Sequence, residues 1–241
     1  LSRKRQRLTE RAQIIQSIRS FFIDRGYLEV ETPHRIPANA PEPHIDAVAS
    51  GSCALHTSPE LAMKRMLAAG YEQLFQICRV WRNGERGQFH LPEFTLLEWY
   101  RVGIDYNALM NECMELLFVL LPKGKLGRGG RTIDLTIPWQ KLTITEAFTQ
   151  YASMDLNQAL ASDCFEEILT SEVEPHLGKE KPTFLTEYPS SLAALARSKG
   201  RSWPWGKSHE PRNINNRLIP RSLCLSTVSL VSPKLTRPTL F

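Results

Sequence analysis

Two neighbouring segments carry the residues best suited to chemistry. Residues 73–82 and 92–101 have the composition of β-strands, and the loop between them contains Gly84 and Gly87. Alternate side chains of a strand point to the same face. One face of the predicted hairpin therefore carries four residues from each strand: Gln76, Cys78, Val80 and Arg82 from the first, and Phe94, Leu96, Glu98 and Tyr100 from the second.

This face combines groups that suit a nucleotide and an amine. Arg82 can hold a phosphate through two charge-assisted hydrogen bonds, Phe94 can stack on a purine, and His90 in the loop can donate to a terminal phosphate. Glu98 and Tyr100 can hold an ammonium group. Each residue alone also has a structural explanation, such as a solvated arginine or a core phenylalanine. Glu98 is harder to explain structurally, because a half-buried carboxylate in an apolar strand needs a partner. The joint spacing of these residues therefore predicts a binding site for a nucleotide and an amine.

The elements predicted around the hairpin mix helices with strands, which is typical of an α+β protein. In chain order they are a helix over 8–25 with Ile14, Ile18, Phe21 and Phe22 on one face, a strand over 27–32, a helix from 58 to about 70, a helix over 107–121, a helical stretch over 139–151 and a strand over 183–186. At the second helix, Ser58 is predicted as the N-cap and Pro59 as the first helical residue.

Composition limits the class of protein. The chain has 241 residues and is 42% hydrophobic, enough for one large domain or two small ones. No apolar run approaches 18 residues, which argues against a membrane span. Five scattered cysteines without a Cys-x-x-Cys pair argue against a disulfide framework or a zinc site, and favour a reducing cytoplasm.

The formal net charge of +5 comes from one end of the chain. Residues 198–241 contain 8 Lys and Arg but one acidic residue, whereas the preceding residues contain 22 basic and 24 acidic ones. This segment is also rich in Ser and Pro and has no sustained hydrophobic period. The sequence thus predicts a folded unit over 1–197 and an atypical basic tail over 198–241, either disordered or translated out of frame.

The hairpin sequence resembles motif 2 of class II lysyl-tRNA synthetases and their paralogues. The matching residues are Arg-Asn-x-Glu at 82–85 and His-x-Pro-Glu-Phe-Thr-x-x-Glu-Trp-Tyr at 90–100. Residues 25–33 are similar to motif 1, which builds the family's dimer interface, and residues 57–61 resemble the segment lining the amino-acid pocket. The resemblance runs from about residue 8 to about 197. It implies a class II α+β domain, with an antiparallel sheet flanked by helices and incomplete at the C-terminus, in a homodimer formed through motif 1.

The resemblance also implies roles for individual residues. Arg82 would be catalytic, binding the α-phosphate of ATP and stabilising the charge that develops there. The ATP-binding residues would be Arg82, Asn83, Gly84, His90, Leu91 and Phe94, and the substrate-binding residues Ser58, Pro59, Glu60, Glu98 and Tyr100. Glu60 would contact the α-side amino group, although an acid in a first helical turn is also simply favourable. No metal ligand is assigned among these residues, and the Mg²⁺ that the family implies would be held by the C-terminal part.

Among the paralogues, the sequence looks most like the short ligases that modify elongation factor P. Motif 1 begins near residue 25, which leaves no room before it for an OB-fold anticodon domain, and the words Thr-Ser-Pro-Glu and Leu-Glu-Trp-Tyr-Arg look like the ligase. The implied reaction is ATP-dependent activation of lysine or β-lysine as an adenylate, with transfer to a lysine of elongation factor P. Transfer to tRNA is less favoured.

The sequence departs from the family pattern in three places. Gly84 stands where Glu is usual, and Leu91 stands where Asn is commoner. Residues 198–241 contain nothing like the glycine-rich motif 3 with its second ATP-binding arginine. We therefore expect impaired activity in this chain and interpret the tail as a frameshifted or degraded end.

Two alternatives stay open at this point. The chain can be a catalytic-domain fragment of a lysyl-tRNA synthetase, or a non-catalytic nucleotide-binding or dimerisation module. The sequence does not separate lysine from β-lysine as the substrate.

Overall fold

The computed structural model describes residues 2–40, 45–87, 90–128, 130–192 and 229–231. Helices and strands alternate along these ranges. The helices are α1 (Ser2–Ile23), α2 (Glu60–Ala68), α3 (Tyr106–Leu120), α4 (Ile144–Tyr151), α5 (Leu156–Ala161) and α6 (Phe165–Ile168). The strands are β1 (Leu28–Glu29), β2 (Arg35–Ile36), β3 (Ala49–Ser50), β4 (Cys53–Leu55), β5 (Gln73–Trp81), β6 (Glu93–Arg101), β7 (Lys125–Arg128), β8 (Arg131–Asp134), β9 (Gln140–Thr143), β10 (Thr183–Thr186) and β11 (Ser229–Val231). The predicted α+β class is confirmed.

The antiparallel hairpin of β5 and β6 is the centre of the main sheet. Its nine residue pairs run from Gln73 opposite Arg101 to Trp81 opposite Glu93. Strand β1 joins the sheet parallel to β5, and the Val30 N–H donates to the Phe75 carbonyl at 2.9 Å. Strand β9 is also parallel to β10, so strand pairing is mixed rather than antiparallel throughout.

Helices α1 and α3 close the back of the hairpin. Phe75 of β5 stacks on Phe22 of α1, with ring centroids 4.9 Å apart, and both pack with Leu116 of α3. Full burial of such side chains contributes about 1.5–3 kcal/mol each. Ile14 of α1, in contrast, is 48% exposed, so only the C-terminal half of the predicted apolar stripe enters this core.

A buried glutamate ties α3 to the hairpin. Glu112 accepts hydrogen bonds from the Tyr27 hydroxyl at 2.8 Å, the Trp99 indole at 3.3 Å and the Arg101 guanidinium at 2.7 Å. A buried charge is tolerated when it is paired and hydrogen-bonded in this way. Burial, together with Glu112, raises the pKa of Tyr27.

A second core lies between β10 and helices α4, α5 and α6. The predicted helical stretch over 139–151 was wrong in its first part, because Gln140–Thr143 forms strand β9 and the helix begins at Ile144. The reason is a capping box: Thr143 Oγ1 accepts from the Glu146 N–H, and Glu146 accepts from the Thr143 N–H. The predicted strand over 183–186 is confirmed as β10.

Of the predicted tail, the structure describes only Ser229–Val231, which pair antiparallel with β10. The rest of residues 198–241 lies outside the described residues, so the domain boundary near 197 stays a prediction. Within the described parts of the chain, no helix has the length and apolar character needed to cross a membrane.

Candidate active site

The predicted face of the β5–β6 hairpin is one continuous surface. Its register sets three pairs directly opposite one another: Gln76 and Glu98, Cys78 and Leu96, Val80 and Phe94. Directly opposed residues of an antiparallel pair project to the same side. The Arg82 N–H donates to the Pro92 carbonyl at 2.9 Å, which continues the pairing and keeps Arg82 on the side of Phe94.

Arg82 and Phe94 form one end of this surface. The Arg82 guanidinium carbon lies 5.2 Å from the Phe94 ring centroid, within the range of a cation–π contact. Its Nε donates to the Thr57 carbonyl at 3.4 Å, and Glu85 Oε1 is 3.8 Å from the guanidinium. The arginine is therefore oriented from three sides and retains N–H groups for an anion.

Glu98, Ser58 and Tyr100 form the other end. The Ser58 hydroxyl donates to Glu98 Oε2 at 2.6 Å, and the Tyr100 hydroxyl donates to Glu98 Oε1. Burial raises the pKa of Glu98, and the two hydroxyl hydrogen bonds only partly offset that effect. A buried carboxylate held by neutral donors attracts a cation, so this end suits an ammonium group.

Helix α2 places Ser58 and Glu60 beside that carboxylate. The helix begins at Glu60 with Pro59 at the N-cap position, one residue later than predicted. The Ser58 hydroxyl nevertheless accepts from the Glu60 N–H at 3.1 Å, because one hydroxyl can accept this bond while it donates to Glu98. The Glu60 carboxylate forms an ion pair with Lys64 at the edge of the site.

Backbone pairing brings the 56–60 segment alongside the hairpin. The Trp81 N–H donates to the His56 carbonyl at 3.1 Å, and the His56 ring nitrogen Nε2 lies 2.7 Å from the Arg79 carbonyl. The Thr57 N–H donates to the side chain of Asn39 at 2.9 Å. Burial lowers the pKa of His56, so this histidine favours the neutral, structural form.

Comparison with known proteins identifies the family. Residues 2–211 match the family described as tRNA synthetases class II (D, K and N). The chain belongs to this family.

Curated relatives carry a more specific name. The chain is 41% identical over 213 residues to the elongation factor P–(R)-β-lysine ligase of Salmonella gallinarum, and 38% identical over 222 residues to that of Pseudoalteromonas translucida. The ligase of Salmonella arizonae is 39% identical over 222 residues. Each match covers 79% of this chain and 64% of the relative.

In this class II synthetase chain, the loop between β5 and β6 adjoins the Arg82 end of the surface, which we call the mouth of the site. The Asn83 N–H donates to the Asp46 carbonyl at 2.7 Å, and Gly84 has a φ of +73°, which glycine adopts without strain. His90 and Leu91 are exposed on this loop. The structure thus brings Ser58, Glu98 and Tyr100 into contact, and it leaves the ATP roles of Asn83, Gly84, His90 and Leu91 as predictions.

Three residues of the site had no role in the sequence analysis. Thr57 offers its carbonyl to Arg82, Asn39 holds Thr57, and Gln76 lies buried opposite Glu98. Strand alternation already placed Gln76 on this face. Thr57 acts through its backbone groups, and the Asn39 side chain reaches it only through loop geometry, so side-chain patterns reveal neither.

A magnesium site is not evident in the described residues. Among them, no group of three or more His, Cys, Asp or Glu side chains is arranged to hold a metal ion.

Proposed function

We propose that the chain uses ATP to activate lysine or β-lysine as an adenylate and transfers the acyl group to a lysine side chain of elongation factor P. The observation that carries the proposal is the single hairpin face, with Arg82 beside Phe94 at one end and a buried Glu98 at the other. The names of the curated relatives support the acceptor and the amino acid. Because the chain spans 64% of their length, the whole reaction is a proposal for it.

The two ends of the face match the two substrates of the first step, the amino acid and ATP. Glu98 holds the substrate ammonium and so aligns its carboxylate toward Arg82. A carboxylate oxygen attacks the α-phosphorus of ATP, the bond to the bridging oxygen breaks, and pyrophosphate leaves. Arg82 stabilises the negative charge that develops on the α-phosphate, so positioning and electrostatics supply the catalysis without a protein nucleophile.

The second step forms an amide. The neutral amine of a lysine on elongation factor P attacks the carbonyl carbon of the adenylate, and AMP leaves as the amine nitrogen loses a proton. The exposed loop at the mouth of the site is where the acceptor protein would approach. Phe94 stacks on adenine and His90 meets the γ-phosphate in this proposal. Mg²⁺ accompanies ATP in this proposal, and its ligands are expected in the C-terminal part.

We also propose a cytoplasmic homodimer formed through α1 and β1. Leu8 and Ile14 of α1 and Leu28 of β1 are exposed apolar side chains. Leu28 lies in the segment that resembles motif 1, and α1 leads into that segment. Contact with a second copy would remove this apolar surface from water.

Substitution of Arg82 tests the nucleotide site. Because Arg82→Ala removes a charge-assisted phosphate contact, we expect ATP to bind about tenfold or more weakly in isothermal titration calorimetry. Arg79→Ala is the matched control, since Arg79 lies on the opposite face of the same strand and forms an exposed ion pair with Glu93 at 3.7 Å. Absence of ATP binding to the unaltered chain, or equal losses in both variants, would contradict the proposal.

The acceptor is tested separately with labelled lysine or β-lysine. Transfer of label to elongation factor P in the presence of ATP is the expected result. Label on tRNA would favour the lysyl-tRNA synthetase alternative. ATP binding with no labelled product on either acceptor would favour the non-catalytic alternative.

A further inference from the structure

Gln76 is an unusual buried side chain on the ligand face of the hairpin. It is 1% exposed, and within the described residues neither its Oε1 nor its Nε2 has a partner at hydrogen-bond geometry. Buried polar groups are nearly always hydrogen-bonded in native proteins. An unsatisfied carboxamide destabilises the folded chain, so its presence calls for a reason other than stability.

The position of Gln76 points to that reason. It lies directly opposite Glu98 in the β5–β6 register, so both side chains enter the same part of the face. Burial and the charge of Glu98 raise the pKa of the thiol of Cys78, the next residue on this face, to about 11, and an approach of the Gln76 side chain that falls short of a well-formed hydrogen bond lowers it. The thiol thus lies close to both residues at the floor of the ammonium end.

The two oxygens of Glu98 are already engaged by hydroxyl groups. Ser58 donates to one and Tyr100 to the other. A substrate ammonium has three N–H donors, and each needs an acceptor when it is buried. A second carboxylate would add another desolvated charge, whereas a carboxamide adds an acceptor without one.

We propose that Gln76 binds the amino-acid substrate, with its carboxamide oxygen accepting a hydrogen bond from the substrate's terminal ammonium beside Glu98. This inference rests on the proposed function and names a further specificity residue for it. Gln76 favours the binding of an amino acid that carries a terminal ammonium group. An isostere without that nitrogen leaves a buried polar group unpaired and is rejected.

Thr32 provides a matched control. Its Oγ1 is the other buried side-chain atom without a partner in the described residues, and it follows β1 rather than belonging to the β5–β6 hairpin. Gln76→Met and Thr32→Val each replace an unsatisfied polar group by an apolar group of similar size. On stability alone the two substitutions act alike, and only Gln76→Met affects amino-acid binding.

The test titrates L-lysine, (R)-β-lysine, L-norleucine and ATP into the three proteins by calorimetry and measures thermal midpoints. We expect Gln76→Met to weaken binding of the preferred lysine isomer about tenfold. The ratio of the protein's affinity for that isomer to its affinity for norleucine falls by the same factor. ATP affinity is unchanged, and the thermal midpoint is equal or higher. Thr32→Val also has a thermal midpoint equal to or higher than that of the unaltered chain, and it binds all four compounds with unchanged affinity.

Other outcomes overturn the inference in distinguishable ways. Unchanged lysine affinity in Gln76→Met shows that the carboxamide does not touch the substrate, while the proposed function stands. A lower thermal midpoint with parallel losses of lysine and ATP binding shows a structural role. Failure of the unaltered chain to bind either lysine isomer overturns the proposed function and this inference together.

Discussion

At the residue scale, the site is organised around Glu98, a carboxylate placed where burial disfavours its charge. Ser58 and Tyr100 each donate a hydrogen bond to it, yet its pKa remains raised. This arrangement stabilises the folded chain less than a neutral side chain would. It becomes favourable when a positively charged ligand supplies the missing partner.

This electrostatic situation predicts a pH-dependent effect of Glu98→Gln. Because the folded-state pKa is raised, Glu98 contributes most to stability when protonated at low pH, and that contribution is lost as pH rises through the folded pKa. We expect Glu98→Gln to raise the free energy of unfolding at pH 7.5, with the gain shrinking toward the ordinary glutamate pKa of 4.5. Urea denaturation at pH 5 and pH 7.5 measures the difference.

Glu93→Gln is the control for that measurement. Glu93 lies on the other face of β6 with a side chain 52% exposed, and exposed ion pairs contribute about 0–1 kcal/mol. Two results would refute the raised pKa of Glu98. One is an equal increase in the free energy of unfolding in Glu93→Gln and Glu98→Gln, and the other is an increase in Glu98→Gln that grows as the pH is lowered. Lysine binding is expected to be lost only in Glu98→Gln.

At the scale of elements, prediction from sequence succeeded where local pattern and tertiary packing agree. The β5–β6 hairpin matches its predicted bounds within one residue, because alternation, a glycine-containing loop and one covered face all favour it. The predicted strand over 27–32 shortens to Leu28–Glu29, since the pairing with β5 ends at the hydrogen bond from the Val30 N–H to the Phe75 carbonyl. Strand β9 was missed because its pairing depends on β10, more than 40 residues away.

Helix α1 predicts the association state. Ile14 is exposed although it belongs to the apolar stripe of α1, which fits a surface covered by a second copy. We expect the unaltered chain to be a dimer and Ile14→Glu to be a monomer, because a buried unpaired charge is strongly unfavourable. Light scattering after size-exclusion chromatography measures the mass of each.

Phe118→Glu serves as the comparison, since Phe118 of α3 is 56% exposed and lies outside the motif 1 segment. It is expected to leave the dimer intact. A monomeric unaltered chain, or dissociation in both variants, would argue against an interface on α1.

At the scale of the whole molecule, the chain carries the motif 1 and motif 2 regions of its family and spans 64% of the ligases it resembles. In the proposed mechanism, the described residues supply one arginine for the triphosphate. Sequence alone predicted this part because its residues are contiguous in two strands. It could not predict the contribution of Asn39, which reaches Thr57 from 18 residues away.

A measurement of lysine-dependent ATP–pyrophosphate exchange tests the chain as a whole. We expect the 241-residue chain to work about 100-fold or more slowly than the Salmonella gallinarum ligase assayed beside it, because residues 198–241 contain no motif 3 arginine and one lost donor of this kind reduces rate by about 100- to 1,000-fold. Exchange at a comparable rate would refute this expectation.

The pairing of β5 with β6 also determines which insertions and deletions the hairpin can tolerate. Even-numbered residues of both strands form the face that carries Arg82 and Glu98, and odd-numbered residues such as Phe75 and Trp99 pack in the core with α1 and α3. Deletion of a single codon within either strand would exchange the two sets beyond that point, turning Arg82 or Glu98 toward phenylalanine and leucine side chains. Insertions within 83–91 leave this parity intact, so length variation among natural homologues should concentrate there.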